Sequence, residues 1–198
     1  MTELERLESL VACCDRCSLV QTVSHKVFGA GDPHAKVMIV GDAPGREENS
    51  SGLPFVGDSG KLLDKALAEL GIARSSLYVA TMIRCWPPGN RKPAPNEIAA
   101  CYPWLEAQIA AIKPGVIVAL GALAMQTLVD IHSSIGKIRG KVLAGPRETL
   151  VVSTWHPSYI LRIGGMGDKK KQRQAAKELL ADLKIAFDIV DVKCTGGG

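Results

Sequence analysis

Four short apolar runs stand out along the chain: Lys36-Val-Met-Ile-Val-Gly41, Tyr78 to Ile83, Val116 to Leu120 and Leu150 to Thr154. Each is bounded by turn-forming residues and too short for a helix, the mark of a buried strand. Between them the period changes to that of a helix. Leu62, Leu63, Ala66, Leu67 and Leu70 share one face, with Ser59 placed to cap the helix and Gly71 to end it. Ile98, Cys101, Leu105, Ile109 and Ile112 form the inner stripe of a helix that Asn96 is placed to cap. Shorter patterns predict helices over 2–12, from Gly121 to about Val129, and from about Lys171 to Phe187. Strands alternating with helices, without a hairpin signal, predict an α/β fold in three layers. Its sheet is mostly parallel and four-stranded, with helices on both faces.

Three unusual loops follow strand ends: Asp42–Gly57, Cys85–Pro95 and His156–Gly167. Open parallel sheets bind ligands beyond the C-terminal ends of their strands, so the loops are expected to meet at one rim. Residues 1–190 read as a single domain and 191–198, Gly-rich at its end, as a flexible tail.

Composition narrows the class. The chain has 198 residues, 46% of them hydrophobic, enough for a full-size core. No apolar run approaches the roughly 20 residues of a membrane span, and the charged start carries no signal-peptide core. An intracellular, cytoplasmic location is expected. A net charge of +4 permits a polyanionic partner without requiring one. Basic residues gather at Lys169, Lys170, Lys171 and Arg173, and again at Arg84, Arg91 and Lys92.

Six cysteines in such a compartment favour metal or redox chemistry over disulfides. Cys14-Asp-Arg-Cys17 is a tight pair, whereas Cys85 and Cys101 stand apart, in the pattern C-x15-C. One tight pair and two scattered thiols suit an iron–sulfur cluster better than a zinc ribbon, which shows two tight pairs. Spacing leaves a cluster, zinc and no metal all open. Cys13 is an alternative to Cys14, and Cys194 reads as a bystander.

Gly41-Asp-Ala-Pro-Gly45, Gly52-Leu-Pro-Phe-Val-Gly57, Arg84-Cys-Trp-Pro-Pro-Gly-Asn-Arg91 and Thr154-Trp-His-Pro-Ser158 occur in this order. With the four cysteines, this set resembles the iron–sulfur (family 4) uracil-DNA glycosylases over about Leu7 to Leu183. The resemblance implies a uracil-DNA glycosylase-like fold and a structural [4Fe–4S] cluster on Cys14, Cys17, Cys85 and Cys101. It also implies a monofunctional enzyme acting as a monomer on DNA that contains a deaminated base, at the nucleoid by function. Phe55 matches the stacking residue for the flipped base, and His156 the histidine facing O2 of uracil. Asp42 stands where the family usually has Glu and is the candidate to orient water or stabilise the sugar cation. Its carboxylate is drawn back by about 1.5 Å, one bond length. Gly41 and Gly45 are candidates to offer backbone N–H groups to base or water.

Thr81 replaces the family's usual Asn, exchanging an amide that donates and accepts for a single hydroxyl. Weaker uracil selectivity is expected from it, with hypoxanthine or xanthine as further substrates. Ser158, Tyr159, Ile160, Leu161 and Arg162 match the loop that enters the minor groove, with Ile160 or Leu161 as its wedge. Two alternatives remain: a relative with another base substrate or little turnover on DNA, and a non-enzymatic iron–sulfur protein.

Overall fold

The computed structural model describes the backbone of residues 1–195 and the side chains of residues 1–190. The expected tail falls partly outside this range: residues 196–198 lie beyond the described residues, and 191–195 continue the last helix. The strands are β1 (Ala30–Gly31), β2 (Val37–Gly41), β3 (Tyr78–Thr81), β4 (Val116–Leu120), β5 (Val142–Ala144) and β6 (Leu150–Thr154). The helices are α1 (Glu3–Ala12), α2 (Arg46–Ser51), α3 (Asp58–Glu69), α4 (Pro95–Ile112), α5 (Ala122–Val129), α6 (Ile135–Ile138), α7 (Pro157–Gly165) and α8 (Lys169–Thr195).

One sheet runs in the order β1-β3-β2-β4-β6-β5. The four apolar runs are its parallel centre. The sheet has six strands rather than the expected four, because β1 and β5 add short antiparallel edges. Alternation of side chains across the pleat sorts the core into two faces. Val37, Ile39, Val79, Val118 and Val152 meet α3, α7 and α8. Met38, Val40, Ala80, Ile117 and Val151 meet α4 and α5. A third apolar cluster gathers Leu7 and Val11 of α1, Leu19, Phe28, Ile83 and Trp104 around Cys85 and Cys101.

Strand order reverses at β2, which pairs with β3 on one side and β4 on the other. The crevice beyond Gly41 and Leu120 is therefore the topological switch point, where such sheets bind ligands. α8 is fixed beside it by a buried network. Asp182, 1% exposed, accepts from Thr154 Oγ1 at 2.6 Å and from both Nε and Nη2 of Arg139. That pins the β6 end from which Trp155 and His156 continue.

Four local expectations are corrected. The stretch after His156, read as a loop, is helix α7, since Pro157 at its first turn lacks only an N–H the helix would leave free anyway. The loop after β2 contains α2. Helix α3 begins at Asp58 without a cap from Ser59, and α4 begins at Pro95, with Glu97 rather than Asn96 accepting from the Ala94 N–H. Among the described residues no helix is long and apolar enough to cross a membrane.

Candidate functional site

The three loops meet at the switch point. Gly41 ends β2, and the Phe55 ring fills the volume a Cβ there would need, with Cε2 only 2.8 Å from that position. Phe55 stacks near His156, ring centroids 5.8 Å apart and planes at 30°. On the next strand Gly121 serves Asp42 and His156. A Cβ built on it would lie 3.1 Å from each Asp42 carboxylate oxygen and 3.2 Å from His156 Cβ. Gly121 also has φ +101°, a conformation that favours glycine. Asp42, Phe55 and His156 are thus brought together around two bare backbone positions.

Asp42 accepts the Ala124 N–H at 3.0 Å, at the positive end of α5. Burial nevertheless raises its pKa to about 6, against the lowering effects of that N–H and of Lys92. His156 precedes α7, and its Nδ1 accepts the Ser158 N–H at 3.1 Å, with Ser158 Oγ at 2.7 Å. A backbone N–H can only donate, so Nδ1 carries no proton and the neutral ring holds its proton on Nε2. Nε2 lies 3.5 Å from the Cβ position of Gly41, facing the Phe55 side of the crevice. Burial, with Arg162 next, lowers the His156 pKa to about 4, so the ring is neutral at physiological pH.

The loop geometry rests on Glu48, which the sequence reading missed. Its buried carboxylate accepts from Gly45 N, Val56 N and Gly57 N, each at 2.9 Å. These bonds flank Phe55, whose φ of 53° is left-handed and uncommon for a large side chain. Gly60 leaves room for the Phe55 carbonyl to pack against it. The signal available in the sequence was a glutamate three residues after Gly45, the spacing by which an acidic side chain caps a helix.

Other expected site residues fall differently. The Gly45 N–H is taken by Glu48, so it is not the donor expected for base or water. Gly41 contributes space for the Phe55 ring. Ile160, 1% exposed, packs in the core beneath α7 and cannot be a wedge; Leu161 is partly exposed. Tyr159 stacks on Trp155 at 4.8 Å, and the exposed Arg162 lies over its ring. Thr81 pairs opposite Gly41 and shares its face of the sheet, but its hydroxyl donates to the Ile83 carbonyl at 2.7 Å. Arg84 is buried and Arg91 forms a two-pronged pair with Glu97, so these two make no surface basic patch with Lys92. Lys169, Lys170 and Lys171 are exposed, and Asp168 accepts from the Lys171 N–H at the start of α8.

Beyond the end of β3, Cys14, Cys17, Cys85 and Cys101 line one hollow with Arg84 and Trp104. Cys13 is exposed, which favours Cys14 as the partner of Cys17. Trp104 Nε1 donates to Cys14 Sγ at 3.3 Å and the Arg84 backbone N–H to Cys101 Sγ at 3.2 Å, donors of the kind that suit metal-bound sulfurs. Burial, then the neighbouring thiols, pushes the Cys85 thiol up to about 12, so thiolates here call for strong positive charge. Four thiols around one hollow, two from a tight pair and two from separate elements, are a donor set that fits a [4Fe–4S] cluster.

Comparison with known proteins identifies the family. The family model described as "Uracil DNA glycosylase superfamily" matches residues 28–184. The chain is similar to a type-4 uracil-DNA glycosylase of Thermotoga maritima, 42% identical over 160 residues, covering 80% of this chain and 83% of the relative. A type-4 enzyme of Pyrobaculum aerophilum is 38% identical over 168 residues, covering 81% and 85%. Similarity to a type-5 enzyme of Thermus thermophilus, 37% identical, covers only 52% of this chain and 53% of that one.

Replacing Glu48 by Gln would leave an amide N–H₂ facing at least one backbone N–H. We expect Glu48→Gln to lower stability by about 1–3 kcal/mol in urea unfolding. It should also speed hydrogen exchange at Val56 and Gly57. Unchanged exchange at both would show that Glu48 does not hold this loop.

Proposed function

The chain belongs to the uracil DNA glycosylase superfamily, in its type-4 branch, and from that premise we infer how its strand-end loops remove uracil from DNA. It is a uracil-DNA glycosylase, a hydrolase of base excision repair. The observation that carries our reading of the site is the fixed tautomer of His156, with Nδ1 occupied by Ser158 and Nε2–H toward the crevice.

A base stacked in a duplex is out of reach, so it must be flipped into the crevice, where the Phe55 ring offers it a face. Breaking the N-glycosidic bond leaves negative charge on the base and positive charge on the sugar. His156 Nε2–H donates to O2 as that charge develops. The ring is already neutral at working pH, so it acts as a fixed donor and needs no protonation step. Asp42, about 6 in pKa and so mostly ionised at neutral pH, orients the attacking water, accepts its proton and stabilises the sugar cation. Leu161 fills the gap left in the stack, while Ser158, Tyr159 and Arg162 run along the DNA backbone with the lysines at the start of α8.

Cys14, Cys17, Cys85 and Cys101 are the residues that would hold a [4Fe–4S] cluster. Bound there, it supplies iron–thiolate cross-links among the segment after α1, the end of β3 and α4, which the small third core holds only in part.

Thr81 favours a second, broader reading. With its proton committed to Ile83, the hydroxyl can only accept. Deamination turns a ring-nitrogen acceptor into an N–H in going from cytosine to uracil and from adenine to hypoxanthine. Set against the ring nitrogen, an acceptor-only residue rejects the parent bases and welcomes both products, without rewarding O4 of uracil.

Base release from labelled oligonucleotides holding uracil or hypoxanthine tests these roles. Wild-type protein should release uracil, and His156→Ala should slow it roughly a hundredfold or more; full activity in that variant would remove His156 from the chemistry. The wild-type rate should rise with pH through about 6 as Asp42 loses its proton, and show no histidine limb, because His156 titrates near 4. Asp42→Asn should be slow and lack the limb; a limb that persists assigns it to another group. Thr81→Asn should raise uracil release relative to hypoxanthine, and an unchanged ratio would mean that Thr81 does not read the base.

A further inference from the structure

Arg84 is a buried charge without a counter-charge. It is 1% exposed, and among the described residues no carboxylate pairs with it. Nη1 donates to the Thr81 carbonyl and Nη2 to Gln108 Oε1, while Nε has no partner. A guanidinium held by neutral acceptors alone is a costly thing to bury, because it gives up its hydration without gaining an opposite charge.

The acceptor at Gln108 has a fixed sense. Gln108 Nε2 donates to the Phe28 carbonyl at 2.9 Å and faces Tyr78 Oη at 3.0 Å, so its oxygen must point to Arg84. A glutamate at this position would neutralise the arginine; the chain carries its uncharged analogue. Arg84 lines the hollow of the four cysteines, and its backbone N–H donates to Cys101 Sγ. Four thiolates outweigh the positive charge of an iron–sulfur core, and that surplus negative charge sets the cluster's potential and persistence.

We propose that Arg84 is the resident counter-ion of the cluster, a positioning residue whose charge is left unpaired by Gln108 so that the thiolate-bound iron–sulfur group can use it. The proposal rests on the cluster reading above. It assigns to Arg84 a role distinct from the basic surface patch its sequence suggests.

The test uses iron-loaded protein and two variants that remove the free charge by different routes. Arg84→Met keeps the stem and loses the cation; Gln108→Glu keeps the cation and gives it a carboxylate of its own. Both should shift the cluster's reduction potential to lower values, because adding an electron loses the help of a positive charge. Both should shorten the half-life of its visible absorbance under a fixed iron chelator, by about tenfold. Arg84→Lys should retain a potential near that of the wild type. Should Arg84→Met fail to fold, Gln108→Glu carries the test through the same potential and iron retention, because its new carboxylate meets the Arg84 guanidinium directly. Wild-type protein that binds no iron would overturn the cluster reading and the proposal with it. Wild-type protein that binds iron, with variants matching it in potential and retention, would overturn the counter-ion role alone.

Discussion

At the ends of the two central strands the backbone is approached so closely that only glycine fits. The Phe55 ring occupies the space of a Gly41 side chain, and Asp42 and His156 close over Gly121. This close approach has two consequences. It brings a stacking face, a hydrogen-bond donor and a carboxylate within one crevice, although they come from three loops far apart in sequence. It also strips water from the two titratable groups. Burial leads the shift in both: the Asp42 carboxylate moves up to about 6, and the His156 imidazole moves down to about 4. The same desolvation yields a base that gives up its proton just below neutrality and a donor that stays neutral.

Holding a large aromatic in a left-handed turn requires support from outside the turn. Glu48 provides it from the short helix α2, spending both carboxylate oxygens on the N–H groups of Gly45, Val56 and Gly57. From the far side, Arg74 donates to the Pro54 carbonyl at 2.7 Å while pairing with Asp64 of α3. The stacking residue is thus set by charge-assisted bonds to backbone on both flanks, a stiffer mounting than apolar packing alone.

What the sequence made legible follows from which interactions leave a pattern. The four central strands are uniformly apolar because they are buried on both faces, so their runs stand out. The edge strands have two and three residues and leave no period to detect. Helix α7 was hidden by punctuation, with Pro157 at its start and Gly164-Gly165 at its end. For the site, Asp42, Phe55 and His156 came from motif order and do meet in the crevice. Glu48 did not come from it, and Arg84, though it opens a motif, was read there only as part of a basic cluster, because a buried charge bonded to backbone or to a neutral side chain looks like any surface charge until its neighbours are known. The swap of roles within α7 has the same origin: Ile160 and Leu161 are equally apolar, and only the helix phase turns one inward.

Arg84 also explains why the cysteine hollow and the base crevice form one unit. Its guanidinium holds the Thr81 carbonyl, and the next residue, Met82, donates its N–H to the Gly41 carbonyl at 2.8 Å. The end of β3 is therefore clamped between the cysteine hollow on one side and the strand that leads into Asp42 on the other. A shift of Cys85 or Cys101 reaches Thr81 through a single side chain, without passing through the hydrophobic layers. In such an arrangement the iron–thiolate cross-links of a bound cluster would do more than staple the N-terminal segment: they would fix the height at which the last residue of β3 meets the crevice. That would give a hydrolase with no electron to transfer a physical reason to hold a cluster beside its substrate site.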